Sequence, residues 1–125
     1  MAATFRVPDA ELVNPLVFIA YGDMRFTNPA QTDPSNPLVR QALIGKVAAM
    51  EPAAVFVNGD LPWHGVAEDY AVYREETAAW RRQRLRIYPA LGNHEFSRCP
   101  EEACLDLWWS AFPELRGRRL SLIHI

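Results

Sequence analysis

Apolar residues along the chain follow two rhythms. Three short continuous runs, residues 16–21, 54–57 and 85–91, have the length and the β-branched or aromatic content of buried strands. Between and after them the spacing is helical. Pro37 suits the first position of a helix capped by Asn36, and Val39, Leu43, Val47 and Met50 recur at helical intervals before Pro52 closes the run. That spacing predicts that their shared face packs on a sheet. A second helix is predicted over 67–84, with Tyr70, Tyr73, Thr77 and Trp80 along one side and Arg81 and Arg82 in its last turns, where positive charge suits the helix dipole. A further helix follows Pro100, with Glu101 and Glu102 in its first turn and Leu105, Trp108, Trp109 and Phe112 as a large apolar surface.

The remaining segments are punctuation. Residues 1–14 are weakly patterned and read as a lead-in. Residues 26–37 carry Pro29, Pro34 and Pro37 among the turn formers Asn28, Thr32, Asp33, Ser35 and Asn36, which predicts an exposed loop. Pro89 cannot donate to a ladder, so the third strand is expected to be interrupted there. The order strand, helix, strand, helix, strand makes the fold class α/β, a βαβαβ unit with a parallel sheet and right-handed crossovers. Ligands then gather beyond the carboxyl ends of the strands.

Composition narrows the classes. With 125 residues, half of them hydrophobic, the chain can build one domain with a real core over 15–119, and no internal repeat or second boundary is visible. Thirteen basic against fifteen acidic residues leave a net charge of −2, which offers no broad cationic surface for nucleic acid or anionic lipid. A phosphate-bearing partner must be held locally. The longest apolar stretch, 16–21, falls far short of the roughly 20 residues of a spanning helix, and no signal peptide opens the chain, so a soluble protein is expected. Cys99 and Cys104 form a lone C-x4-C, too little for a tetrahedral zinc site. They are either two free thiols, at home in the cytoplasm, or a local disulfide, which implies export to an oxidising compartment. The sequence leaves both open.

Each strand-like run ends in a polar cluster: Gly22-Asp23-Met24-Arg25, Gly59-Asp60 and Gly92-Asn93-His94-Glu95. Carboxylates, amide oxygens and imidazoles hold hard or borderline divalent metals. Two such ions about 3.5–4 Å apart activate water and clamp a phosphoryl oxygen. Asp23, Asp60 and Asn93 are donors of the right kind, and Asp60, at the middle strand end, is the natural bridge between two ions. Arg25 has no lone pair to give a metal, but its planar fork fits a phosphate; the other reading pairs it with Asp23. His64 either reaches this site or caps its own loop, and Trp63 either walls a pocket or packs on the next helix. No nucleotide P-loop and no G-x-S-x-G nucleophile elbow is present.

In these motifs the chain resembles the calcineurin-like metallophosphoesterases, whose opening motifs are Asp-x-His, Gly-Asp and Gly-Asn-His-Asp/Glu in that order. Gly59-Asp60 and Gly92-Asn93-His94-Glu95 match as written, and the clusters stand about one βαβ unit, roughly 30 or more residues, apart. The resemblance covers residues 16–95. It implies one half of an α/β/β/α sandwich and a dinuclear centre of Fe, Zn, Mn or other divalent ions. Asp23 would ligate the first metal, Asp60 bridge, and Asn93 ligate the second. It makes His94 the catalytic group that assists the leaving oxygen, work typically worth 10²–10⁴ in rate. The implied reaction is hydrolysis of a phosphate ester by metal-bound hydroxide. Arg25 stands where the family has histidine, which leaves a substrate-binding role for Arg25 and, as the alternative, a non-catalytic member that binds a phosphate ligand at a degenerate metal site.

The family completes its centre with a later histidine and a Gly-His-x-His segment, and after Glu95 only His124 occurs. The last six residues, 120–125, match a translated sequencing-library adapter. The expectation is therefore an artefactual tail on the front half of a longer enzyme, the fragment itself being inactive.

Overall fold

A computed structural model describes residues 8–11 and 14–116. The expected tail at 120–125 lies outside them, as does most of the lead-in, of which Asp9–Glu11 forms a single 3-10 turn. Strands β1 (Phe18–Tyr21), β2 (Ala54–Val57) and β3 (Ile87–Pro89) form one parallel sheet in the order β1-β2-β3, with Ile19 beside Val55 and Val55 beside Ile87. The α/β class is therefore correct: a three-stranded parallel sheet with four α-helices among the described residues. β1 and β3 are shorter than the apolar runs that announced them. Pro89 is the last residue of an edge strand, where its missing N–H breaks no ladder, and the amide of Ala90 bonds Val57 O at 2.7 Å.

Period-two alternation divides the sheet into two unlike faces. Ile19, Tyr21, Val55, Val57 and Ile87 point into a core shared with Ile44, Val47, Tyr70, Tyr73 and Trp80. Phe18 and Phe56 point the other way and stay 48% and 41% exposed. Their rings meet edge-on at 5.8 Å, and Phe56 stacks on Tyr88 at 5.5 Å, so an aromatic row crosses the open face.

Helix α1 (Pro37–Met50) starts as its sequence predicts, with Asn36 Oδ1 accepting from the amides of Leu38 at 3.0 Å and Val39 at 3.3 Å. It ends at Glu51, which adopts a left-handed φ of 45°. The buried face matches the predicted one only in part, Val47 alone of the four named residues being buried. Arg40, Ile44, Val47 and Ala48 turn inward, whereas Val39, Leu43 and Met50 are exposed. Two polar contacts set this rotation. The Arg40 guanidinium makes a two-point pair with Glu76 at 2.7 and 2.8 Å over the Phe26 ring, and Trp80 Nε1 donates to Ile44 O at 3.0 Å.

The predicted second helix is two: α2 (Ala67–Glu76) and α3 (Ala78–Arg82). Thr77 breaks it at φ −91°, with its hydroxyl donating to Tyr73 O at 2.6 Å. The face was nevertheless read correctly, since Tyr70, Tyr73, Thr77 and Trp80 are all buried. Helix α4 (Glu101–Ala111) buries Trp108, with Phe112 just beyond its end, and leaves Leu105 and Trp109 half-buried. The loop expected to be exposed throughout begins in the core: Phe26 is fully buried against Tyr73 at 5.3 Å, and its amide bonds Leu61 O at 2.8 Å.

Two stability predictions follow from this core. Glu76→Ala leaves Arg40 as a buried charge without its carboxylate and is expected to cost roughly 3–5 kcal/mol, read from urea unfolding. Burial is the main cause that pushes the Tyr73 phenol up to about 12, with Glu114 adding to it and Arg81 and Thr77 opposing; burial raises Tyr70 as well. A raised folded pKa contributes stability that is complete below the unfolded value of about 10 and is lost as pH climbs through the folded one. The urea midpoint should therefore hold to about pH 10 and fall between pH 10 and about 12 alongside tyrosinate absorbance.

Candidate metal centre

The three polar clusters meet at the carboxyl ends of the strands because the backbones keep pairing after the strands stop. Asn58 N–H bonds Tyr21 O, Asp23 N–H bonds Gly59 O at 3.2 Å, and Arg25 N–H bonds Asp60 O at 3.1 Å. The first loop is thus laid along the second residue by residue. This requires unusual backbone. Asp23, Arg25 and Asp60 take left-handed φ of 51°, 48° and 53°, and Gly59 takes 82°. For residues with a Cβ such conformations cost of order 1–3 kcal/mol each and gather at functional sites.

The third loop joins chiefly through one buried carboxylate, with the His94 amide on Asp60 Oδ1 beside it. Glu95 is fully buried and accepts from the amides of Leu61 at 2.8 Å, Gly92 at 2.7 Å and Asp60 at 3.1 Å. Burial raises its pKa, and the amide bonds pull the other way. Two glycines make the approach possible. A Cβ at Gly92 would stand 2.2 Å from Asp60 Oδ1 and 2.6 Å from Asp60 N, and one at Gly59 would meet the Gly92 backbone at 3.0 Å. Neither these glycines nor Glu95 drew a role from the sequence, although an acid three residues after glycine in a strand-end loop was the available signal.

Each named side chain has a definite place. Asp60, in the loop after the central strand β2, accepts the His94 amide on Oδ1 at 3.1 Å and holds Oδ2 4.0 Å from His94 Nε2. His94 Nδ1 lies 2.7 Å from Trp63 O, and since a carbonyl only accepts, the proton sits on Nδ1 and Nε2 faces Asp60. The imidazole also stacks on the Trp63 indole at 4.6 Å. Asn93 opens the 3-10 turn His94–Phe96 without its side chain capping it. Asp23 is exposed and pairs with Arg25 at 3.0 Å, as one of the two readings had it. The Arg25 guanidinium stands 5.5 Å from the Trp63 ring centroid, so Trp63 lies beneath both Arg25 and His94.

His64 is turned to the third loop, its Nδ1 3.0 Å from Ser97 Oγ and its amide bonded to Asp69 at 2.8 Å. Burial first, then Arg98 and His94, hold its imidazole below the ordinary value against Asp69. Behind it the cysteine question is answered by a Cys99–Cys104 disulfide, which ties the end of the third loop into α4. Gly65 admits that loop, because a Cβ there would stand 2.1 Å from Glu95 O.

The donor types suit a hard divalent ion: two carboxylates and an amide oxygen on three joined loops. Among the described residues no group of three or more His, Cys, Asp or Glu side chains is gathered to hold a metal. No helix of the described residues is long and apolar enough to cross a membrane. No family model matches the chain, and no curated protein matches it.

The glycine contacts give a paired prediction. Gly92→Ala is expected to cost about 1–3 kcal/mol through overpacking against Asp60. Gly45→Ala, in α1 with open space around its Cβ position, should instead gain up to about 1 kcal/mol. Urea unfolding of both variants measures the contrast.

Proposed function

We propose that these loops belong to a calcineurin-like metallophosphoesterase and contribute the Asp23, Asp60 and Asn93 side of a dinuclear centre that hydrolyses a phosphate ester. The observation that carries the reading is the meeting of three strand-end loops, the second and third joined on the Glu95 carboxylate and the first paired to the second by backbone bonds, with left-handed backbone at Asp23, Arg25 and Asp60. The open sheet face with Phe18 and Phe56 supports it, because an α/β/β/α sandwich packs a second sheet there. Bound metal ions would supply Lewis acidity and an activated water. The chain's own groups do the rest. Arg25, freed from Asp23, grips two phosphate oxygens with its guanidinium fork. His94, protonated on Nδ1 by its bond to Trp63 O, presents Nε2 to the Asp60 side, and a second proton there is donated to the leaving oxygen.

The Asp23–Arg25 pair favours a second reading, in which the first metal position is lost and the site binds a phosphate ligand without turnover. The two are separated by hydrolysis of p-nitrophenyl phosphate and its bis ester by the protein in its genomic length, with Mn²⁺ present. The hydrolase reading expects turnover that disappears with EDTA and with Asp60→Asn, and that falls about 10²–10⁴-fold in His94→Ala. Turnover surviving chelation would sink it. Phosphate binding without turnover, abolished by Arg25→Ala, selects the second reading.

A further inference from the structure

We infer that Glu95 is the positioning residue of this site: its carboxylate fixes the separation between Asp60 and Asn93 and so governs cation uptake without touching the cation. The inference rests on the metal reading above and names a residue to which that reading gives no task. A single atom, Oε2, accepts both the Asp60 amide at 3.1 Å and the Gly92 amide at 2.7 Å, one from each loop. The other oxygen takes Leu61 at 2.8 Å. Both oxygens therefore point at backbone rather than into the site, and the side chain is fully buried, so Glu95 is not available as a ligand or as a substrate contact.

The bonds act on the donors through a short lever. The Asp60 amide belongs to the residue whose carboxylate is the proposed bridge, and Gly92 directly precedes Asn93. The absence of a Cβ at Gly92 brings its backbone against Asp60 itself, and besides the Glu95 bonds the His94 amide on Asp60 Oδ1 ties the same two loops. Glutamine cannot replace it. An amide of the same shape turns one acceptor oxygen into an NH₂ that faces an N–H, and at least one of the three bonds becomes a donor–donor contact. Aspartate keeps both oxygens on a shorter stem.

Two measurements on Glu95→Gln and Glu95→Asp test this. Mn²⁺ affinity, read from the free-ion EPR signal, is expected to fall about 10–100-fold in Glu95→Gln, the usual loss for an outer partner of a ligand, and to recover most of the way in Glu95→Asp. Amide hydrogen exchange should show lost protection at Asp60, Leu61 and Gly92 in Glu95→Gln, with the amides of α1 unchanged. A general loss of structure would expose α1 as well. Wild-type Mn²⁺ affinity in Glu95→Gln overturns the inference, and so does retained protection of the three amides. If the wild type itself binds no Mn²⁺, the metal reading fails and takes Glu95's part in cation uptake with it, while the exchange result decides separately whether Glu95 holds the loops.

Discussion

One buried guanidinium holds the structure together. Arg40 lies in the first turn of α1 and pairs at two points with Glu76 at the end of α2. It also reaches Ser35, Thr27 O and Arg25 O. It therefore joins both crossover connections and the loop that leaves β1, and it does so at the end of the sheet where the polar clusters stand. Removing an arginine from water is expensive unless its donors are met. Here they are met by a carboxylate, carbonyls and a hydroxyl drawn from separate stretches of chain, so the demand for partners dictates where those stretches go. The rotation of α1, the path of residues 25–35 and the docking of α2 are one solution to one desolvation problem.

The same demand explains what the sequence could and could not tell. Strand positions were legible because each is a short apolar run followed by glycine and polar residues, and the parallel order follows from the helices between them. The face holding Tyr70, Tyr73, Thr77 and Trp80 was legible because its neighbours are charged. α1 was not, since Leu38, Val39, Ala42, Leu43, Ile44, Val47 and Ala48 surround the helix and any of several stripes satisfies the period. What decided among them is an arginine in the interior, which pattern alone assigns to solvent. The break at Thr77 is likewise a side-chain bond to Tyr73 O, invisible to spacing.

At the candidate site, residue types were readable and their relations were not. Asp60, His94 and Trp63 emerge as one cluster only after Gly59, Gly65 and Gly92 are seen to admit backbone where a Cβ would collide. The loops converge by continuing the pairing of the sheet past its last regular residue, at the expense of left-handed conformations at Asp23, Arg25 and Asp60. Arg25 gains two engagements from this, with the Asp23 carboxylate and with the Trp63 ring. The two proposals, hydrolase and phosphate receptor, differ in the anion that Arg25 is taken to hold.

The contact between Gly92 and Asp60 also bears on how such a protein can vary by descent. Glycine at 92 and aspartate at 60 occupy a shared volume, so neither position drifts by itself. An acid lengthened at 60 loses room against the neighbouring loop, and a side chain at 92 meets the residue 60 backbone as well as its acid, so the loops themselves must part to admit it. Two positions far apart in sequence thus constrain each other through a shared volume.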